Sequence, residues 1–138
     1  MLSPASTLSG VSAREEIEFT VGDFDTAKKF LQALGYEVTV IYEKYRTTYE
    51  RDNLHITFDE MPYGQFVEIE GLGVEVIKVV ASKLGLNWKA RINENYLTVF
   101  KRAQKALNLD FQDLTFENFK GVEIGLDALG ITAADADY

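Results

Sequence analysis

The chain has 138 residues, of which 46% are hydrophobic and 26% are charged, a composition typical of one globular domain. It contains no cysteine, which excludes disulfides, thiolate metal sites and a cysteine nucleophile. The formal net charge of -8 disfavours a nucleic-acid partner, and no apolar run approaches the ~20 residues that span a bilayer. We therefore expect a cytoplasmic protein without a nucleic-acid or membrane partner.

The N-terminal part of the chain predicts a lead-in, a strand and a helix. Residues 1–12 are small and polar, without the apolar core of a signal peptide, and we expect a flexible lead-in. Residues 13–21 alternate well enough to predict a strand. Asp23 or Asp25 can cap a helix over 26–34, which the following glycine would end.

The middle of the chain predicts three further strands. Residues 36–50 are rich in Tyr, Val, Ile and Thr, which favours one long strand. Asp and Asn at 52–53 form a turn signal. Two strands over 54–60 and 65–71 follow, joined by a hairpin connection at 61–64.

The period of the apolar residues then lengthens from two to between three and four, which predicts helices. One helix would cover 76–84 and a second would run from Asn95 to Leu107, with Tyr96 on its apolar stripe. Residues 121–125 predict a short strand, and 133–138 are expected to be frayed. We divide the domain into core strands over 13–71 and a C-terminal helical part over 72–138.

Four short segments alternate charged and apolar side chains, so that in strands the charged ones would share a face. The residues predicted for this charged face are Arg14, Glu16, Glu18, Lys44, Arg46, Asp59, Glu68 and Glu70. The opposite face would be apolar and suited to packing helices, with Ile17, Ile41, Ile56, Phe58, Val67 and Ile69.

The charged residues suggest two kinds of ligand. Clustered carboxylates repel one another unless a cation or protons intervene, and oxygen-only ligands such as Asp59, Glu68 and Glu70 favour Mg2+ or Mn2+. Lys44 and Arg46 are the donor types that hold a phosphate chain. The sequence does not show that the two sets converge.

An alternating charged face has two structural explanations. Charged residues on antiparallel strands usually form a solvated outer face with cross-strand Lys–Glu pairs, and alternation alone favours this explanation. The same pattern also fits the inside of a wide polar barrel. Periodicity does not separate the two.

The ordered segments resemble the CYTH family of class IV adenylate cyclases and thiamine triphosphatases, also called triphosphate tunnel metalloenzymes. The resemblance rests on five segments in family order, and it is strong over 13–71 and looser beyond. They are Arg14-Glu-Glu-Ile-Glu18, Tyr42-Glu-Lys-Tyr-Arg46, Ile56-Thr-Phe-Asp59, Gly64-Gln-Phe-Val-Glu-Ile-Glu70 and, loosely, Asp113-Leu-Thr-Phe116.

Such a resemblance implies an α+β fold, an eight-stranded antiparallel barrel with flanking helices, whose charged tunnel holds a triphosphate and a divalent metal. Lys44 and Arg46 would be the catalytic, triphosphate-binding basic residues. Asp59, Glu68 and Glu70 would bind Mg2+ or Mn2+. Arg14 and Glu16 would complete the substrate-binding set. The implied substrate is ATP, thiamine triphosphate or inorganic triphosphate.

The chain departs from the family pattern in one respect, because it lacks the N-terminal ExExK segment. We therefore expect the C-terminal part of a CYTH domain, with a homodimer that closes the barrel as one alternative. The implied reactions are cyclisation of ATP to cAMP and hydrolysis of a triphosphate. The alternatives are a truncated, non-catalytic module that binds polyphosphate or nucleotide, and a small α+β interaction protein with a solvated charged sheet.

Overall fold

The computed structural model describes residues 6–8, 10–13 and 16–135 and shows an α+β fold. Arg14, which was predicted to bind substrate, and residues 136–138, part of the expected frayed end, lie outside the described residues. The elements in chain order are β1 Ser6–Leu8, β2 Val11–Ala13, α1 Phe24–Ala33, β3 Tyr45–Arg51, β4 Leu54–Met61, β5 Gly64–Glu70, α2 Val74–Lys83, a 3-10 turn Trp88–Ala90, α3 Tyr96–Leu107 and α4 Leu126–Leu129.

Strands β3, β4 and β5 form an antiparallel sheet in chain order, and β1 pairs with β2 in a separate hairpin. The β3–β4 connection uses Asp52 with a positive φ of 54°, a conformation that Asp tolerates because its short side chain can bond to nearby backbone. The β4–β5 hairpin turns at Pro62 and Tyr63, as predicted. Within the described residues the sheet does not close into the expected barrel.

Three predicted strands differ from the structure. Val11–Ala13 is extended, but 16–21 has no regular structure in place of the predicted strand over 13–21. The predicted strand over 36–50 begins only at Tyr45, because within the described part of the chain 36–44 has no neighbouring strand and only one isolated bridge. Residues 121–125 form a turn and an extended lead into α4, not a strand.

The helices agree closely with the prediction. Asp23 caps α1 by accepting a hydrogen bond from the Thr26 N–H at 2.7 Å, and Asn95 caps α3 in the same way. Helix α2 packs on β5. In the part of the chain that the structure describes, no helix has both the length and the apolar character needed to cross a membrane.

The main core lies between the β4–β5 turn and the C-terminal helices, not on the predicted apolar face of the sheet. On that face Ile56, Val67 and Ile69 are half-buried, whereas Phe58, Ile17 and Ile41 are exposed. Helix α1 contains no buried residue. The core cluster consists of Met61, Tyr63, Val99, Phe100, Ala103, Leu114, Phe119 and Leu129.

Candidate functional site

The candidate site is the face of the sheet on which the charged side chains of β3, β4 and β5 lie together. The strand register places Arg46 opposite Asp59, Thr57 opposite Glu68, and His55 opposite Glu70. Directly opposed residues in an antiparallel pair project to the same face, and so do residues two apart. The observed register therefore gives these side chains one common surface.

Asp59 is the centre of this surface and is only 2% exposed. Its Oδ1 accepts a hydrogen bond from Arg46 Nε at 2.6 Å, and its Oδ2 accepts one from Arg46 Nη2 at 2.5 Å. The same Oδ2 accepts from Lys44 Nζ at 3.2 Å and from the Tyr96 hydroxyl at 2.8 Å. A buried carboxylate is tolerated when donors of this kind surround it.

The donors around Asp59 decide its charge. Burial on its own would raise the pKa of Asp59, but hydrogen bonds from Arg46, Tyr96 and Lys44 together outweigh burial and hold that pKa below its ordinary value of 3.8. The hydrogen bond to Asp59 raises the pKa of Arg46. The site therefore contains an ionised Asp59 at neutral pH, paired with two cations.

Arg46 also links Asp59 to the neighbouring strand. Its Nη2 donates to Glu68 Oε2 at 2.5 Å, and Thr57 Oγ1 donates to the same oxygen at 3.4 Å. The side chains of Lys44 and Arg46 keep 23% and 34% of their surface exposed, respectively. An anion arriving from solvent can thus reach both cations while Asp59 stays beneath them.

Tyr96, the first residue of α3, covers the Asp59 end of the surface. Its ring packs against Phe66 at 5.2 Å between centroids, and Lys44 Nζ lies 5.4 Å from the centre of the same ring. Burial, and then the hydrogen bond to Asp59, raise the pKa of Tyr96. The hydroxyl therefore stays protonated and acts as a donor.

A C-terminal segment fixes the backbone that leads to Lys44. Leu114 N–H donates to the Ile41 carbonyl at 2.8 Å, and Glu43 N–H donates to the Leu114 carbonyl at 2.9 Å. The carboxylate of Asp113 accepts from Ile41 N–H at 2.8 Å. Because Leu114 is fully buried in the core, these bonds anchor to the core the segment that leads into Lys44 and β3.

Other predicted site residues lie elsewhere. Glu16 is exposed and precedes α1 outside any strand, so the structure does not bring it to the site. Glu70 lies at the far end of the charged face from Asp59 and is also exposed. There its neighbour His55 places Nδ1 3.4 Å from Glu50 Oε1.

The predicted metal ligands do not form one cluster in this arrangement. Among residues 6–8, 10–13 and 16–135, no group of three or more His, Asp or Glu side chains could together hold a metal ion. The carboxylate of Asp59 is occupied by Arg46, Lys44 and Tyr96, so it does not fit the role of a metal ligand. Glu68 and Glu70, on the more open part of the face, are the remaining oxygen donors.

Two site residues were not identified from the sequence. Tyr96 was assigned to an apolar helix stripe, and nothing local indicates that its hydroxyl meets a carboxylate 37 positions earlier. Thr57 could have been found, because it alternates with Asp59 on β4 and pairs with Glu68 across the sheet.

Comparison with known proteins supports the resemblance found in the sequence. The family model for the CYTH domain matches residues 4–79, just over half of the 138 residues. The match includes the charged sheet and ends before Tyr96. A search of curated proteins and a search of solved structures found no match. On the family match, the chain belongs to the CYTH domain family.

Proposed function

We propose that this chain binds a nucleoside or organic triphosphate through Lys44 and Arg46. The observation that carries this proposal is the pair of partly exposed cations held on one buried carboxylate, in a chain of the CYTH family. A guanidinium and an ammonium on one surface can contact successive phosphoryl oxygens with charge-assisted hydrogen bonds. The Asp59 carboxylate beneath them would restrict their movement and lower the entropic cost of binding.

The charge balance of the site calls for a further cation. Lys44 and Arg46 are matched by Asp59 and Glu68, so the four side chains together carry no net charge. A triphosphate would add several negative charges to a surface that cannot neutralise them. We therefore infer that a divalent ion, Mg2+ or Mn2+, accompanies the triphosphate, with Glu68 and Glu70 as its protein ligands.

Two reactions fit this site, the cyclisation of ATP to cAMP and the hydrolysis of a triphosphate. In both, Lys44 and Arg46 would stabilise negative charge that develops on the phosphoryl oxygens. When bound, a divalent ion would supply polarisation of the phosphoryl group or acidification of a water. Asp59 would keep the two basic side chains in place without touching the phosphate.

A second candidate function is a non-catalytic module that holds polyphosphate or nucleotide. Two observations favour it: residues 1–138 contain no ExExK segment, and the described residues contain no group of three acidic or histidine side chains that could hold a metal ion. Binding would then depend on Lys44 and Arg46 alone and would persist without a divalent ion.

The test measures binding and turnover with inorganic triphosphate, ATP and thiamine triphosphate, each with Mn2+, with Mg2+ and with EDTA. Chromatography would show cAMP or shortened phosphates if the site is catalytic, and tight binding without products would favour the module. Lys44→Ala should weaken triphosphate binding by ~10-fold or more, the cost of one charge-assisted hydrogen bond, and should weaken AMP binding less.

The matched control is Lys120→Ala, which removes an exposed lysine that pairs with Glu117 three positions before it. It should leave triphosphate affinity within about twofold. Glu68→Ala and Glu70→Ala should abolish any metal-dependent turnover. Equal losses for Lys44→Ala and Lys120→Ala, or equal losses for ATP and AMP, would contradict the proposed site.

A further inference from the structure

Tyr96 lies beyond the segment that matches the family model, yet its side chain belongs to the charged site. Asn95 caps the helix by accepting from Thr98 N–H at 2.9 Å, which fixes where α3 begins. The Tyr63 hydroxyl donates to the Tyr96 carbonyl at 2.9 Å, and Phe66 packs against the Tyr96 ring. The backbone and the ring of Tyr96 are therefore both held in place.

The hydroxyl of Tyr96 is directed at a single carboxylate oxygen. It donates to Asp59 Oδ2 at 2.8 Å, the oxygen that also accepts from Lys44 at 3.2 Å and from Arg46 Nη2 at 2.5 Å. The Lys44 ammonium additionally lies over the Tyr96 ring. One tyrosine thus contacts both the carboxylate that holds the cations and one of the two cations.

We propose that Tyr96 is a positioning residue for anion binding, which holds the Asp59 carboxylate so that Lys44 and Arg46 present their donors in a fixed arrangement. Without the hydroxyl, Asp59 would keep its two cationic partners but would lose the contact that comes from a separate, rigid element. The basic side chains would then sample more conformations, and ordering them on a triphosphate would cost more. The inference rests on the proposed function, because it concerns the same basic pair.

The variant that isolates the hydroxyl is Tyr96→Phe, which keeps the ring, its packing on Phe66 and its contact with Lys44. The matched control is Gln104→Met, which removes the hydrogen bond that the same helix donates at 2.6 Å to the Phe111 carbonyl, away from the charged site. Both variants should lower the melting temperature to a similar extent. Circular dichroism would show that both are folded.

The first readout needs no ligand. Proton exchange of the Arg46 Nε–H, followed by heteronuclear NMR, reports how firmly Arg46 is held on Asp59 Oδ1. We expect Tyr96→Phe to accelerate this exchange about tenfold, as for loss of one buried hydrogen bond, and Gln104→Met to change it less than twofold. Unchanged exchange in Tyr96→Phe, or an equal acceleration in Gln104→Met, would overturn the positioning role.

The second readout is the affinity for inorganic triphosphate with Mg2+. Tyr96→Phe should weaken it about five- to tenfold, and Gln104→Met should not. If Tyr96 acts through Asp59, then Asp59→Asn should weaken binding at least as much, and adding Tyr96→Phe to it should cause no further loss. Additive losses in the double variant would show that Tyr96 does not act through Asp59.

The two readouts separate failure of the inference from failure of the proposed function. If the wild-type chain binds no triphosphate, the proposed function is wrong, and the role of Tyr96 in anion binding fails with it. If the wild type binds and Lys44→Ala does not, but Tyr96→Phe leaves both exchange and affinity unchanged, only the inference about Tyr96 is wrong.

Discussion

Asp59 shows how a charged residue can occupy the buried side of a half-exposed surface. An isolated carboxylate at this position would be neutralised by protonation, because burial disfavours its charged form. Three donors from two separate parts of the chain prevent this, namely Lys44 and Arg46 from one segment and Tyr96 from α3. Asp59 therefore holds the side chains of Lys44 and Arg46 in place, and we expect its replacement to affect both stability and ligand binding.

We predict that Asp59→Asn lowers the free energy of unfolding by roughly 2 kcal/mol, below the usual cost of breaking a buried ion pair because Lys44 and Arg46 remain partly solvated. The control is Glu60→Gln, which neutralises the next carboxylate along β4 on the opposite, exposed face. That change should stay within about 0.5 kcal/mol. Urea unfolding at neutral pH measures both, and a similar loss in the two variants would contradict the role given to Asp59.

At the residue scale, the sequence predicted membership of the charged face better than it predicted contacts. Alternation placed Lys44, Arg46, Asp59 and Glu68 on one face. The strand register shows the last three there, and Lys44, just before β3, reaches the same face by its hydrogen bond to Asp59. Alternation within a strand gives no information about contacts with a helix from a distant part of the chain. For that reason Tyr96, whose helical spacing suits an apolar stripe, was not linked to Asp59.

Helix α1 depends on local interactions, since none of its side chains is buried within the described structure. Short helices are marginal on their own, so the cap matters more here than in a packed helix. Hydrogen bonding with Thr26, by its side chain and its backbone N–H, holds the pKa of Asp23 below its ordinary value of 3.8. The ionised form of Asp23 is therefore the better cap.

A lowered pKa in the folded state means that the cap contributes stability above the unfolded pKa and loses it as pH falls through the folded value. We predict that the helical Cα chemical shifts of Thr26 and Ala27 weaken in the wild type between about pH 5 and about pH 2. Asp23→Asn provides a cap that does not titrate, so its shifts should stay constant. Parallel pH curves for the two proteins would contradict the prediction.

At the element scale, the sequence prediction was accurate where the interacting residues lie close together along the chain and failed where they lie far apart. The β4–β5 hairpin and α3 were predicted closely, because turn residues, alternation and caps lie within a few positions of each other. The long strand over 36–50 was not, because among the described residues its first part forms only an isolated bridge, between Tyr42 and Leu114. No local pattern indicates a partner 72 positions away.

At the scale of the whole molecule, the charged sheet is joined to the C-terminal helices by hydrogen bonds and by the core. The family match covers 4–79, whereas most core residues lie beyond it, in α3, in the segment around Leu114 and in α4. Two sets of contacts connect the core to the site. One is Tyr96 on Asp59, and the other is the set of backbone bonds between Leu114 and the residues that precede Lys44.

The backbone bonds of Leu114 predict that truncating two equally buried leucines affects triphosphate binding differently. Leu114 and Leu129 are 0% and 1% exposed in the same core cluster, so Leu114→Ala and Leu129→Ala should each cost about 3 kcal/mol in unfolding experiments. Only Leu114 bonds to the backbone at Ile41 and Glu43. A cavity behind it should let that backbone shift and should displace Lys44.

We therefore expect Leu114→Ala, measured below its melting temperature, to weaken triphosphate binding several-fold, while Leu129→Ala leaves the affinity within about twofold. Calorimetric titration of both variants with inorganic triphosphate and Mg2+ compares them at matched stability. Equal affinities would mean that the sheet holds Lys44 without help from the C-terminal core. A loss confined to Leu114→Ala would show that the part of the chain outside the family match positions the basic pair.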